Sequence, residues 1–200
     1  MPEAAKQPEN AAKKEDRRVR RTKKLLVQAL TDLLQEKQVK EITVRELTDL
    51  ADMNRGTFYL YYKDIFDMLE KVEDEMFRSL GGILARHGEN GSVLQVRPVL
   101  LDLFSFIGEN QAMCRVLLSP HGDMNFLHRL NNVIRETCLK IWPQAQAPDG
   151  GAEFDYHYSF AVFGFAGLIR AWVSRGCPES PEQMAALADA MIFRGSLAEP

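Results

Sequence analysis

Arg45, Arg55 and Thr57 carry the most pointed chemistry in this chain, and that chemistry is recognition rather than catalysis. A guanidinium is a planar fork of N–H donors. It can meet the O6/N7 edge of guanine with two parallel hydrogen bonds, a fit worth about 1–3 kcal/mol of discrimination. Thr57 offers a hydroxyl beside a methyl, and the methyl suits the C5-methyl of thymine. Around them stand Thr43, Tyr59, Tyr61 and Lys63, donors placed to reach phosphate oxygens, which fix register without reading sequence. Gly56 lies between Arg55 and Thr57. A glycine costs about 1 kcal/mol against alanine inside a helix, and it makes sense where backbone must come close to a ligand.

Other chemistries find little support. The chain has no Gly-rich phosphate loop, no nucleophile elbow and no HExxH pair, so it does not read as an enzyme. His121, Asp123 and His128 straddle a Pro-Gly loop without a recognised ligand spacing, and neither a metal nor a cofactor is expected. Cys114, Cys138 and Cys177 are far apart and lack CxxC spacing, which suits reduced thiols in a cytoplasmic protein. No apolar run approaches the roughly 20 residues of a bilayer span, so no membrane partner is expected. The charged N-terminus lacks the apolar stretch of a secretion signal.

Charge is distributed unevenly along the 200 residues. Residues 1–65 hold 14 Lys/Arg against 11 Asp/Glu, whereas residues 66–200 hold 11 against 17. The cationic end is therefore the end that carries Arg45 and Arg55, as a contact with a polyanion requires. Arg17, Arg18, Arg20, Arg21, Lys23 and Lys24 add a basic cluster, of which Arg20 and Arg21 are expected at the phosphates or in the minor groove.

The elements that must position these groups read as helices. Residues 1–16 are polar and are expected to be a disordered tail. Leu25, Leu26, Ala29, Leu30, Leu33 and Leu34 repeat with a period near 3.6 in helix 1. Thr43-x-x-Glu46 is a capping box opening helix 2, with Leu47, Leu50 and Ala51 inward. Asp52-Met53 turns the chain, and Asn54 caps helix 3, about Arg55–Tyr61, anchored by Phe58. A helix, a tight turn and a short second helix make a helix-turn-helix, in which the first helix braces the second across a groove.

Asp64 and Asp67 open helix 4, whose apolar stripe is Phe66, Leu69, Val72, Met76, Leu80 and Ile83. Five more helices follow, near Pro98, Gln111, Asn125, Glu153 and Pro181. No strand-like alternation lies between turn signals. The expected fold is all-α with about nine helices: a tail (1–16), a DNA-binding head (17–64) and a larger helical body (65–195).

Residues 20–69 resemble the DNA-binding domain of the TetR/AcrR family of transcriptional regulators. The matching stretches are Ile42-Thr43-Val44-Arg45-Glu46-Leu47 and Asn54-Arg55-Gly56-Thr57-Phe58-Tyr59-Leu60-Tyr61-Tyr62-Lys63. The resemblance implies a homodimer in which helices 1–3 bind DNA, helix 4 links them to a ligand-sensing body, and the last two helices pair across a two-fold axis. It places Arg45 and Thr57 at bases, and Thr43, Tyr59, Tyr61 and Lys63 at phosphates. Many members carry a lysine in the first turn of helix 4, where this chain has Ile65, with Lys63 as the neighbouring cation. Gly167-Leu-Ile-Arg-Ala-Trp172 followed by Gly176-Cys-Pro-Glu-Ser-Pro181 is similar to the end of a subgroup that includes activators of dihydroxyacetone kinase operons.

In the body, Ala161, Gly164, Gly167 or Leu168, and Ala171 form a small-residue stripe that admits another helix closely. With Met184, Leu187 and Met191 of helix 9 they are the expected dimer surface. Phe104, Met113, Leu117, Trp142, Tyr156, His157, Phe160 and Phe163 are the expected liners of an effector pocket among helices 4 to 8. The function expected is a repressor that binds a palindromic operator in double-stranded DNA and is modulated by a small molecule. Two alternatives stay open: a regulator or activator switched by a partner protein, and a helical small-molecule-binding protein whose N-terminal hairpin merely packs.

Overall fold

The computed structural model describes residues 6–88, 96–118, 124–141 and 151–191, with some side chains in these ranges left undescribed. Nine α-helices lie among the described residues: α1 (Lys6–Glu36), α2 (Val44–Leu50), α3 (Arg55–Tyr59), α4 (Ile65–Gly88), α5 (Val96–Glu109), α6 (Gln111–Leu117), α7 (Met124–Ile141), α8 (Gly151–Ser174) and α9 (Pro181–Asp189). The chain divides into two compact units, Met1–Val72 and Glu73–Pro200.

Helix α1 begins well before the tail was expected to end, which corrects the tail's extent. The cause is local. Residues 9–18 are mostly Glu, Ala, Lys and Arg, strong helix formers, and Pro8 falls in the first turn, where a missing N–H costs nothing. Arg20 and Asp16, four apart, meet at 2.7 Å on the exposed side.

In the first unit, Leu26, Ala29, Leu30 and Leu33 of α1 are buried with Leu47 of α2, Phe58 of α3, and Ile65, Met68 and Leu69 of α4. Each fully buried Leu or Phe side chain contributes about 1.5–3 kcal/mol. Helix α2 starts where Thr43 Oγ1 accepts the Glu46 N–H at 3.2 Å. Lys37, just past the end of α1, pairs with Glu46 on α2, and this hydrogen bond holds the Glu46 carboxyl below its usual range. Thr48 is fully buried, and its hydroxyl donates to the Val44 and Arg45 carbonyls at 2.8 and 3.0 Å, so no polar atom is stranded. Asp52 turns the chain with φ 52°, a left-handed conformation that Asp tolerates better than most residues.

Helix α4 buries Leu69, Val72, Met76 and Ile83 of the expected stripe, and its first turn departs from it. Ile65 and Met68 face the core while Phe66 is exposed. Ile65, where the resemblance led a lysine to be looked for, is 4% exposed and points inward.

In the second unit α9 packs chiefly against α5, and α8 against α6 and α7. Phe104 lies edge-on to both Phe165 and Trp172, at 5.6 and 5.4 Å between ring centres. The Trp172 indole donates to the Glu179 carbonyl at 3.2 Å, and the Tyr158 hydroxyl donates to the Asn131 side chain at 2.6 Å. Ser180 and Gln183 cap α9 reciprocally, as Ser-Pro-x-Gln spacing allows.

Candidate nucleic-acid interface

The recognition hairpin is built from caps rather than from length. Helix α3 spans only five residues and starts where Asn54 Oδ1 accepts the Gly56 N–H at 2.8 Å. A cap of this kind is worth about 1 kcal/mol. Phe58 is fully buried and holds α3 to the core, with the Tyr59 and Tyr62 rings at 5.4 and 5.5 Å. The helix is two residues shorter than its expected extent, and Tyr61 lies just past it.

Arg45, Arg55, Gly56, Thr43, Tyr59 and Lys63 are exposed in the same unit, and Thr57 and Tyr61 are half-buried. Arg45 is the second residue of α2, and its Nε lies 3.6 Å from Asp49 Oδ2, with both side chains mostly in water. Arg55 is the first residue of α3. Thr43 already accepts the Glu46 N–H, yet a hydroxyl that accepts can still donate to a phosphate oxygen. Gly56 has room for a Cβ, which would stand 3.4 Å from Asn54 Oδ1, so the fold alone does not demand a glycine there. Arg20 and Arg21 are exposed on α1.

Several supporting contacts escaped the sequence reading. Lys23 lies over the Tyr61 ring at 5.6 Å and so fixes a side chain beyond the end of α3. Lys71 of α4 donates to the Tyr61 carbonyl at 3.0 Å and to Asp67 at 2.8 Å. The Asp67 carboxyl, held low by the Lys71 hydrogen bond first and by the Lys63 N–H second, bridges α4 to Lys63, two residues before its start. The i, i+4 spacings of Arg45–Asp49 and Asp67–Lys71 were readable signals. The Lys23–Tyr61 and Lys71–Tyr61 contacts join residues distant in sequence and were not.

The body departs from expectation in two places. Tyr156, Phe160 and Phe163 are about 77–78% exposed, which corrects their placement as liners of a pocket inside the body. Helix α8 turns Tyr158, Ile169, Trp172 and Val173 inward, and a residue two positions from Tyr158 points to the opposite side. Phe104, Met113 and Leu117 are buried core. Trp142 lies outside the described residues, as does the His157 side chain. Of the expected dimer residues, Met184 is buried inside the protomer beside Ala185 and Ala188, a second correction. Leu187 and Met191 are exposed, as are Gly164, Gly167 and Ala171, while Ala161 and Leu168 are half-buried. A Cβ added at Gly164 or Gly167 would meet nothing within 4 Å.

Comparison with known proteins agrees with this architecture. Residues 95–194 match the TetR_C_8 family, described as a transcriptional regulator C-terminal region. An HTH-type transcriptional regulator of Bacillus subtilis (strain 168), YxbF, itself uncharacterized, is 26% identical over 159 residues, covering 78% of this chain. The chain matches only 40% of that relative's length. Among solved structures, the fatty acid degradation regulator FadR from Bacillus halodurans aligns with a TM-score of 0.66 at 14% identity, over 90% of this chain and 97% of its own. The dihydroxyacetone kinase operon activator DhaS aligns with a TM-score of 0.56 at 20% identity, over 87% and 95%. A TetR transcriptional regulator from Streptococcus agalactiae 2603V aligns with a TM-score of 0.54 at 22% identity, over 90% and 98%. At these identities the solved structures bear on the fold, which is all-helical in the described residues. The family is one of regulators rather than enzymes, and no described helix is long and apolar enough to cross a membrane. With half its length matched by the family's C-terminal region, this chain belongs to the TetR family of transcriptional regulators.

Proposed function

We propose that this protein is a sequence-specific DNA-binding repressor that grips a palindromic operator as a homodimer and is modulated by a small-molecule effector. One observation carries the reading: two unburied arginines open two capped helices that are locked to a common core in the cationic unit. In this reading Arg45, Arg55 and Thr57 address base edges, with Gly56 allowing close approach. Thr43, Tyr59, Tyr61, Lys63, Arg20 and Arg21 hold phosphates. Residues 17–64 serve as the DNA-binding head and 65–195 as the effector and dimerisation body, in the cytoplasm.

The dimer surface follows from the exposed face of α8, where Gly164, Gly167 and Ala171 let a second helix come close, extended by Leu187 and Met191 of α9. Two heads in one assembly would meet half-sites about 34 Å apart. An effector that alters this separation lowers affinity steeply, because both half-sites must be engaged together.

The packing of Phe104 between Phe165 and Trp172 favours a second reading. Rings that already satisfy one another leave that part of the body filled, as in a regulator switched by a partner protein.

The test is selection of bound fragments from genomic DNA, followed by affinity measurement on the enriched site with the Arg45→Ala variant. Two-fold symmetric sites, and a specific-to-nonspecific ratio reduced about 10-fold by the variant, are expected. Enriched sites without symmetry, or a ratio that does not change, overturn the reading.

A further inference from the structure

We propose that Asp49 is a positioning residue for Arg45, holding its guanidinium in the orientation that addresses a base and thereby setting sequence preference at that base pair. The inference rests on the reading of Arg45 as a base reader. Its own ground is the pairing of Arg45 Nε with Asp49 Oδ2 at 3.6 Å along the outer face of α2.

Three features single this pair out. Arg45 has a long side chain with many rotamers, and Asp49, one helical turn on, is the acid that meets it. Using Nε for this contact leaves the two terminal nitrogens of the fork free, and those nitrogens are the ones that meet guanine. Moreover, Asp49 sits in the last turn of a seven-residue helix. A negative charge there opposes the helix dipole, and it lies on a face where a polyanion would dock. Neither local stability nor bulk attraction to DNA favours an acid at this position. An acid that aligns a neighbouring arginine gives it a role.

The backbone beneath the pair is firm, so the side-chain contact decides where the fork points. Thr43 caps α2, Lys37 ties Glu46 to the segment just past α1, and the Thr48 hydroxyl donates to the Arg45 carbonyl at 3.0 Å. In water an exposed i, i+4 pair is weak and the arginine swings. In a groove from which water is expelled the same pair strengthens, so the alignment acts mainly in the complex. A carboxylate near phosphates also penalises complexes in which Arg45 misses its base and leaves the acid uncompensated, which is discrimination by repulsion.

The experiment measures affinity for the selected operator and for each of its single-base variants, using the full-length wild type, Arg45→Ala, Asp49→Ala, Asp49→Asn, Asp49→Glu and the double alanine variant, each checked by thermal melting. Arg45→Ala is expected to abolish preference at one base pair per half-site. Asp49→Ala and Asp49→Asn are expected to cut preference at that same base pair about 5-fold, leaving the others within 2-fold, while affinity for random DNA rises. Asp49→Glu is expected to retain most of the preference, and the double variant to match Arg45→Ala. If Asp49→Ala or Asp49→Asn strengthens binding to all sequences equally, the acid is only a charge and the proposal is overturned while the Arg45 reading stands. If Arg45→Ala shifts no base pair, the underlying reading fails and the proposal with it.

Discussion

The Lys71 ammonium donates to the Tyr61 carbonyl at 3.0 Å, tying the second turn of α4 to the segment that leaves α3. A five-residue helix cannot hold itself in water, since isolated helices need about 12–15 residues even to be marginal. Its position must come from such ties and from Phe58. Lys71→Met, which keeps the apolar stem over the Tyr62 ring but removes the donor, should lower stability by about 0.5–1.5 kcal/mol. Chemical denaturation reads this directly. Operator affinity should fall by more than the stability loss implies, because Tyr61 loses its anchor.

Gly56 separates folding from recognition. Alanine gains up to about 1 kcal/mol of helix propensity, and its methyl meets only the cap oxygen at 3.4 Å. Gly56→Ala should therefore melt within a few degrees of wild type yet bind operator at least about 10-fold more weakly, since the methyl fills the space the DNA backbone or base edge needs. Anisotropy titration alongside a melting curve tests both halves. Undiminished affinity would remove Gly56 from the interface.

Gly164 gives the corresponding separation in the body. Nothing in the protomer lies within 4 Å of its missing side chain, so Gly164→Leu should fold as well as wild type. In the proposed pair the added side chain holds the partner helix away, and the dimer dissociation constant should rise by an order of magnitude or more. Sedimentation equilibrium showing an unchanged dimer would place the interface elsewhere.

Cys114 is buried, and that burial, with a smaller contribution from Cys177 nearby, raises its thiol to about 12. An unfolded thiol titrates near 8.5. Below about pH 8.5 both states hold the proton and nothing is lost. Above it the unfolded state releases the proton while the folded state keeps it, so stability falls with pH by about 1.4 kcal/mol per unit until the folded thiol ionises. Cys114→Ala should remove this component of the alkaline slope, which denaturation at a series of pH values from 8 to 11 would show. In the native protein Cys114 should resist alkylation that labels the half-buried Cys177.

Asp52 holds the hairpin turn at φ 52°. Asp52→Gly removes the left-handed penalty and should stabilise the chain by about 0.5–1 kcal/mol, readable as a higher melting temperature.

The parts of this protein legible in its sequence are those governed by local rules. Thr43, Asn54 and Ser180 were identifiable as caps because a cap is decided by a side chain and an N–H two or three residues away. The turn at Asp52 and the buried anchor Phe58 belong to the same short stretch. Helix α4 was legible as a helix and, from Leu69 through Ile83, in phase; in its first turn Ile65 and Phe66 are both apolar, and only packing turns Ile65 inward and leaves Phe66 out. Helix α8 was harder still, since rings and aliphatic groups surround it and periodicity gives no inward side. That is why Phe160 and Phe163 were assigned to an interior pocket and lie on the surface instead. The ties of Tyr61 to Lys23 and Lys71 depend on distant segments meeting, and no spacing within one element announces them.

The wet rings of α8 bear on how much protein a cell must make. Tyr156, Phe160 and Phe163 lie against solvent in the single chain, and pairing through this helix would take neighbouring apolar surface out of water. The lone form would then be the less comfortable one, and melting temperature should climb with concentration. Occupancy of a symmetric site would rise more steeply than copy number, because two chains must find each other first. In the proposed dimer, expression level would become an input to the regulator, set by residues far along the sequence from those proposed to meet the double helix.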